Sequence, residues 1–313
     1  MPRPAEPRHN AVRGWDRPPQ RRPVRGRLGG VIGIGRIAAC AASLTRPALF
    51  ACAAAVTTGC GRAALTVDLG GGETMRFSRI EPAGIFVGVH EVTNGQYRRF
   101  RSGHDSGSYE GRTLNDDRQP VVAVSLEDAR AFCRWLNSRA PTDRPGEFRL
   151  PTGPEWTALA TCGGARAHPW GDDWPPTSGN YADASADAAF GWSGHAIAGY
   201  DDGAAATCAV QRSGRSSCGL YGVGGNVWEW TEQPARDGTW RVLRGWSWRY
   251  KDRDHLRVDY TDKHGAPWGK DNNVGFRVVF APARAAMPTL DTSNPPREGS
   301  SPIRPPAATR PAI

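Results

Sequence analysis

A glycine-rich segment that runs directly into two tryptophans, residues 219–230, constrains the fold of this chain more than any other stretch. It reads Gly-Leu-Tyr-Gly-Val-Gly-Gly-Asn-Val-Trp-Glu-Trp, with four glycines in its first seven residues. Glycine permits positive φ and close backbone approach, so a tight, non-repetitive turn is predicted here. In an extended chain Trp228 and Trp230 point the same way and bury large rings, while Glu229 faces away from them. The Glu229 carboxylate is predicted to be solvated or bound to a cation.

The basic charge of the chain lies in its first part. Residues 1–62 carry eleven arginines and only two acids, so their net charge of +9 equals that of the whole chain. The remainder is formally neutral, which argues against a nucleic-acid-binding domain. We therefore interpret residues 1–62 as a basic leader with a signal-like segment rather than as part of a fold.

The uncharged residues 47–61 are typical of the apolar part of a secretory signal. This run of 15 residues is shorter than the roughly 20 that a helix needs to cross a bilayer. Small residues precede Cys60, as in a bacterial lipoprotein cleavage box, and Cys40 is a poorer candidate. We expect an exported bacterial protein, periplasmic or membrane-anchored through a lipid on Cys60. A non-lipidated signal and a start codon placed too far upstream stay open.

Composition divides the rest of the chain into three parts. Residues 63–72 read as a small linker with a glycine triplet, residues 73–281 as one folded domain, and residues 282–313 as a disordered Pro-rich tail. Eleven of the twelve tryptophans lie within residues 73–281. That length and aromatic content are sufficient for a single domain with a substantial core.

The domain is predicted to be α+β, with few regular elements and long loops. Thr93, Ser125 and Thr152 are N-cap candidates for helices over residues 94–101, residues 126–139 and from residue 153 onward. Short β-branched or aromatic runs predict strands at residues 85–89, 120–124, 240–244 and 275–280. Residues 163–217 show no periodicity. Such a long irregular stretch favours an organising device such as bound calcium.

Four cysteines lie beyond the leader. Cys208 and Cys218 flank a polar loop and are candidates for a short-range disulfide in an oxidising compartment. Cys133 lies on the apolar face of the second predicted helix and is expected to be a core thiol.

Short motifs follow one another in order along residues 73–281. They are VHEVTNGQY (89–97), PVVAVS (120–125), FRLPTGPEW (148–156), PWGD (169–172) with GNY (179–181), the segment 219–230, and RGWS (244–247) with GFR (275–277). Together they resemble the formylglycine-generating enzyme (sulfatase-modifying factor) domain, a variant of the C-type lectin fold. The same fold family includes both enzymes and non-catalytic ligand-display domains, so whether this chain is an enzyme stays open.

The resemblance implies oxidation of a sulfatase cysteine by O2 and copper, the copper being held by two cysteines five residues apart. Tyr250 and His255 occupy these two positions, and no cysteine follows Cys218. Copper(I) selects soft thiolate ligands, so copper is not expected here. Iron needs two histidines and a carboxylate, and no closely spaced pair of histidines is present. A protein-maturation oxidoreductase that acts on a cysteine or thiol, either generating formylglycine or using related non-haem metal chemistry, stays as the alternative.

Two structural calcium sites are also implied by the resemblance. The first would use Asn180, the Tyr181 carbonyl, Asp202 and Ala204, with Asp201 as an alternative acid. The second would use Gly225 and Val227 carbonyls with the Glu229 side chain, and Gly222 stands where the family has an asparagine ligand. Calcium takes six to eight oxygens, so water or another carbonyl would replace that ligand. Alternatively, Glu229 only accepts hydrogen bonds from loop amides.

Aromatic residues alternate with charged ones in the region that lines the substrate groove of the family. The candidate groove residues are Trp246, Trp248, Tyr250, His255 and Arg257. Such a surface suits a peptide, protein or small-molecule ligand. A strand with a buried aromatic face and a solvated charged face explains the same pattern, and both descriptions can hold together. We expect a ligand-binding module.

Overall fold

A computed structural model describes residues 64–283 of the chain. The predicted leader, which includes Cys60, and most of the predicted Pro-rich tail lie outside the described residues. The strands are β1 (Ala64–Gly70), β2 (Glu73–Ile80), β3 (Ile85–Gly88), β4 (Ser108–Tyr109), β5 (Arg112–Thr113), β6 (Gly146–Arg149), β7 (Trp228–Pro234), β8 (Arg241–Arg244), β9 (His264–Gly265), β10 (Val274–Phe276) and β11 (Val279–Pro282). The helices are α1 (Asn94–Phe100), α2 (Leu126–Asn137), α3 (Gly153–Thr161) and α4 (Ala184–Phe190).

An antiparallel five-stranded sheet, in the order β1-β2-β3-β11-β6, begins with a hairpin. Leu65, Val67 and Leu69 of β1 are buried and alternate with exposed residues, as expected for a half-buried strand. The glycine triplet at residues 70–72 has positive φ throughout and closes the hairpin. The prediction of a linker at residues 63–72 is therefore wrong. The alternation within this short run marks a strand, and pairing with β2 stabilises it.

The three helix starts predicted from N-cap residues are confirmed. Thr93, Ser125 and Thr152 each accept a hydrogen bond from the third helical residue, whose side chain accepts one from the cap backbone in return. A cap of this kind contributes about 1 kcal/mol to helix stability. The apolar face of α2 is buried as the spacing predicts, and the Cys133 thiol lies in the core.

A second sheet, in the order β10-β7-β8-β9, is parallel between β10 and β7 and antiparallel elsewhere. The strand predicted at residues 240–244 is confirmed as β8. The one predicted at residues 275–280 is divided between β10 and β11, which belong to different sheets. Residues 120–124 do not form a strand, because Ala123 has a φ of 57° and only Pro120 makes a ladder bridge. Val121, Val122 and Val124 are nevertheless buried.

The irregular stretch, residues 163–217, contains α4, which its sequence did not reveal, and is closed at its ends by a disulfide. The disulfide joins Cys162 to Cys218, whose Cα atoms are 5.5 Å apart, and Cys208 is a buried free thiol. The candidate disulfide between Cys208 and Cys218, which the sequence left open, is therefore not formed. Cys162 ends α3 in a left-handed conformation, which brings it beside Cys218 despite a separation of 56 residues.

Within residues 64–283, no helix is both long enough and apolar enough to cross a membrane.

We predict that Cys162→Ser lowers the free energy of unfolding by about 4 kcal/mol, because the disulfide restricts a long loop of the unfolded chain. Chemical denaturation of oxidised protein measures this change. Cys208→Ser is the control and should retain the disulfide, which peptide mapping without reductant detects. A linkage between Cys208 and Cys218 in the wild-type digest would contradict the assignment.

Candidate functional site

A buried ion pair lies at the centre of the domain. Glu229 of β7 and Arg277, between β10 and β11, are both 0% exposed. The Arg277 guanidinium donates to Glu229 Oε1 from Nη2 at 2.7 Å and from Nε at 3.0 Å. Trp156 Nε1 of α3 donates to Glu229 Oε2 at 2.9 Å. Both carboxylate oxygens of Glu229 are therefore used by protein donors.

Arg277 also satisfies two backbone carbonyls. Its Nη1 donates to the Gly88 carbonyl at 3.0 Å, and its Nη2 donates to the Tyr221 carbonyl at 2.8 Å. Gly88 ends a strand of the first sheet, and Tyr221 lies in the glycine-rich segment. One guanidinium thus joins the first sheet, the second sheet and the turn that precedes β7. Arg277 Nε also lies 3.3 Å from Glu229 Oε2, so the guanidinium reaches both carboxylate oxygens, which is the strong geometry for an arginine ion pair.

A second carboxylate, Glu91, lies against Gly222. A Cβ atom at residue 222 would lie only 2.1 to 2.3 Å from the Glu91 carboxyl atoms, and Gly222 has a φ of 62°. Glycine is thus required at this position for space as well as for backbone conformation. Glu91 is fully buried, and burial raises its pKa to about 8, with Arg277 opposing this rise and Glu229 adding to it. Its Oε2 has no hydrogen-bond partner among the described residues.

Two asparagines extend this polar group. Asn226 Nδ2 donates to Glu91 Oε1 at 3.1 Å, and Asn226 Oδ1 accepts from Asn180 Nδ2 at 3.1 Å. Asn180 Nδ2 also donates to the Ala206 carbonyl at 2.9 Å. These bonds fix the orientation of the Asn180 amide, and its buried Oδ1 has no partner among the described residues. Hydrogen-bonded polar side chains therefore connect Glu91, whose charge interacts with the Glu229–Arg277 pair, with the loop that follows α4.

Asp202 and Asp183 lie at the far end of this chain. Asp202 accepts only backbone N–H groups, from Tyr181 and Ala204, both at 3.0 Å. Asp183 caps α4 and accepts from the Asp202 backbone N–H at 2.6 Å. Burial raises the pKa of both carboxyls, and their mutual repulsion adds to the rise at Asp202. Neither acid has an ion pair with a lysine or arginine among residues 64–283.

The two predicted sets of calcium ligands therefore differ in how many of their oxygens are still available to a cation. At the first, Asn180 and Asp202 present an unpartnered oxygen and an acid without a counter-ion, which fits a cation. At the second, the Glu229 charge is already neutralised by Arg277, and Gly222 faces Glu91. Within residues 64–283 no three His, Cys, Asp or Glu side chains are grouped as metal ligands. A cation at the first set would therefore be held partly by carbonyl and amide oxygens.

The candidate groove residues fall into a buried group and an exposed group. Trp246 and Trp248 are 1% and 0% exposed, so they do not line an open groove. Trp246 packs edge-on against Trp156, and Trp248 stacks on Trp192. His255 and Arg257 are exposed, and Tyr250 is half-buried. The pattern is a buried aromatic face with a charged outer face, which was the alternative explanation of this stretch.

Tyr250 and His255 lie at the two positions where the family resemblance implies copper-binding cysteines. Both side chains contact neighbouring protein groups. The Tyr250 ring packs edge-on against Trp228 at a centroid distance of 5.1 Å. His255 Nδ1 lies 3.5 Å from Asp252 Oδ2, and its ring lies 5.1 Å from the Tyr260 ring. One imidazole and one phenol replace two thiolates.

An exposed surface around Trp174 was missed at the sequence level. We call it the tryptophan–arginine surface and define it by Trp170, Trp174 and Arg253. Trp174 is 37% exposed, and the Arg253 guanidinium carbon lies 5.8 Å from its ring centroid. Arg253 Nη2 also donates to the Asp172 carbonyl at 3.2 Å. The PWGD motif and the stretch after RGWS supply this surface from distant parts of the sequence, so no local pattern brings them together.

We predict that Arg277→Met lowers the free energy of unfolding by about 3–5 kcal/mol, because it leaves the Glu229 charge buried without a partner. Denaturant titration measures this change. Arg257→Met is the matched control, since Arg257 pairs with Asp259 at the exposed surface, and it should change stability far less because water already screens that pair. Equal losses in the two variants would contradict the central role of the buried pair.

Comparison with known proteins gives the family of the chain. A family model described as the sulfatase-modifying factor enzyme 1-like domain matches residues 44–282. Inactive C-alpha-formylglycine-generating enzyme 2 of Bos taurus is 33% identical over 173 residues, which cover 53% of this chain and 51% of that protein. The formylglycine-generating enzyme of Streptomyces coelicolor is 32% identical over 181 residues, 51% of this chain and 52% of that protein. The chain thus spans about half the length of these curated relatives.

The fold has a counterpart among solved structures. Treponema denticola variable protein 1 superposes with a TM-score of 0.54 and 19% sequence identity, over 70% of this chain and 99% of that chain. At this identity the likeness shows the fold alone. The two sheets and this likeness together show that the chain has the variant of the C-type lectin fold that is typical of the family. The match to the family model over residues 44–282 shows that the chain belongs to the sulfatase-modifying factor family.

Proposed function

We propose that this domain is a binding module for an extended peptide or a similar ligand and that it lacks copper–thiolate oxidation. The observation that carries the proposal is the presence of Tyr250 and His255 where the family resemblance places two copper cysteines. Copper(I) binds soft thiolates in preference to a phenol and an imidazole. The relatives include a protein named inactive as well as proteins named enzymes, so family membership alone does not decide the activity.

The remaining cysteines of residues 64–283 do not supply a substitute thiolate. Cys162 and Cys218 are joined in a disulfide, and Cys133 and Cys208 are buried. Burial raises the pKa of both free thiols, that of Cys208 to about 12. These thiols remain protonated near neutral pH, and a protonated thiol is neither the nucleophile nor the metal ligand.

The tryptophan–arginine surface is the proposed contact area for the ligand. Its indole faces offer apolar area, and Arg253 offers a cationic group that already packs over Trp174. Asp172 and Asp173 lie between the two tryptophans in the sequence, so the surface has carboxylates as well as the Arg253 guanidinium. Exposed aromatic rings beside charged groups suit a peptide, whose backbone and side chains present apolar and polar groups in alternation.

The test compares wild type with the double variant Tyr250→Cys/His255→Cys. Each is incubated with copper(I), O2 and a sulfatase-type cysteine peptide, and peptide aldehyde is measured by mass spectrometry. We expect no aldehyde and no stoichiometric copper with wild type. The double variant should gain one copper(I) per chain in competition with a chromogenic chelator, because it restores two thiolates at the family spacing. Tyr250→Phe/His255→Ala is the control and should not bind copper. Aldehyde formation by wild type would overturn the proposal.

Binding by the same surface is tested with the serine analogue of that peptide. Trp174→Ala should weaken its binding, measured by fluorescence anisotropy of the labelled peptide. Trp268→Ala removes another exposed tryptophan, 71% exposed and not part of the tryptophan–arginine surface, and should leave binding unchanged. Equal effects of both substitutions would argue against this surface.

We also propose that Asn180, the Tyr181 carbonyl, Asp202 and the Ala204 carbonyl hold a structural calcium ion. Support comes from the unpartnered Asn180 oxygen and from two neighbouring acids without a counter-ion among residues 64–283. Bound calcium would supply the missing positive charge and fasten the loop after α4 to the segment that begins at Asn180. Hard oxygen ligands of this type are the ones that calcium prefers.

We predict that calcium raises the melting temperature of wild type, and that Asp202→Asn removes most of this increase. At a calcium concentration 100 times the dissociation constant, the expected stabilisation is about 2.7 kcal/mol. Thermal unfolding with chelator and with added calcium measures it, and magnesium tests selectivity. Asp201→Asn is the matched control, because Asp201 is an exposed neighbour that accepts from Ser185. A calcium response that survives in Asp202→Asn would refute the assignment.

A further inference from the structure

A cavity of about 480 Å³ lies between residues 112–119 and residues 203–212. None of its lining residues belongs to the tryptophan–arginine surface. Its volume is within the range of about 300–1,000 Å³ that is usual for small-molecule sites. Three arginines, Arg112, Arg118 and Arg212, line the cavity together with alanines at residues 204–206 and 209.

The charge of the cavity wall is positive. None of the three arginines makes an ion pair among residues 64–283. Two aspartates also line the cavity, but Asp117 is paired with Arg98 and only Asp116 is left to offset the arginines. The cavity wall therefore has more unpaired guanidinium groups than unpaired carboxylates. Guanidinium groups favour carboxylate and phosphate oxygens, to which they donate two hydrogen bonds at once.

Hydrogen bonds across the cavity hold its two walls together. Gln119 Nε2 donates across the cavity to the Thr207 carbonyl at 2.8 Å, and within its own wall to the Thr113 carbonyl at 3.1 Å. The Val210 backbone N–H donates to the Arg118 carbonyl at 2.9 Å. The walls are thus joined without a ligand, which lowers the conformational entropy lost on binding.

Thr207 adds an unsatisfied polar group to this wall. The residue is 5% exposed, and its hydroxyl has no hydrogen-bond partner among the described residues. The hydroxyl oxygen itself is buried, so the cavity is lined by other atoms of Thr207. The alanines beside it offer small apolar side chains and no competing charge.

We infer that this cavity binds a small ligand that carries an oxyanion group, carboxylate or phosphate, on a compact apolar body. The arginines bind the oxyanion, and the alanines contact the apolar body. The inference is independent of the proposed peptide binding, because the two sites share no residue. Failure of one proposal therefore leaves the other intact.

The test uses phenyl phosphate and benzoate as probes, titrated into the full chain by calorimetry at constant ionic strength. Saturable binding of either probe is expected, and their relative affinities distinguish a phosphate site from a carboxylate site. The double variant Arg118→Gln/Arg212→Gln should weaken binding at least about tenfold, because charge-assisted hydrogen bonds are lost. Both arginines are exposed, so the variant is expected to fold.

Arg236→Gln/Arg134→Gln is the matched control. It removes the same charge from exposed positions that do not line the cavity and should change affinity less than about twofold, since surface charges at a distance are screened. Absence of saturable binding, or equal weakening by the two double variants, would overturn the inference.

Discussion

The buried ion pair between Glu229 and Arg277 is the interaction on which the rest of the domain depends. A guanidinium without access to water is tolerated only when its donors find acceptors, and here a carboxylate and two backbone carbonyls accept them. These acceptors belong to β7, to the end of β3 and to the glycine-rich segment. The two sheets are thereby held in register at one point, and the Trp156 indole adds α3 to the same group.

The polar chain that starts from Glu91, beside this pair, explains several residues that have no role in an apolar core. Asn226, in a left-handed conformation with a φ of 63°, bonds to Glu91, Asn180 and the Cys208 backbone. Glu91 in turn requires glycine at residue 222, because its carboxyl group occupies the space of a side chain. The glycine-rich segment therefore packs closely against buried polar side chains. Two oxygens in the chain, on Glu91 and Asn180, are left without partners among the described residues.

The backbone that carries Tyr250 and His255 is supported by core packing. Trp246 and Trp248 belong to the core, so the backbone that carries residues 250–255 is held by packing that does not depend on a metal. Tyr250 adds its ring to that packing against Trp228. Tyr250 and His255 at these two positions are therefore compatible with the fold of the family. Function in such a family is decided by the side chains at particular sites rather than by the fold.

The sequence by itself determined the features that depend on local physics and on composition. The capping residues Thr93, Ser125 and Thr152 specify helix starts because each cap bonds within one turn of chain. The apolar stripe of α2 likewise predicted which of its faces is buried. Ordered motifs identified the family, and the identities of residues 250 and 255 were sufficient to question copper chemistry. The hairpin at residues 64–80 carried a local alternation too, but its strand was too short to be distinguished from a glycine-rich linker.

Only the tertiary structure decided the contacts between residues distant in the chain. Cys218 pairs with Cys162 rather than with its neighbour Cys208, because the end of α3 lies beside it. Glu229 has Arg277 as its partner, 48 residues away, so the carboxylate expected to bind calcium is an ion-pair partner. The arginine-lined cavity and the tryptophan–arginine surface likewise combine separate segments. Such pairings follow from how the whole chain packs, and neither periodicity nor spacing within a single segment records them.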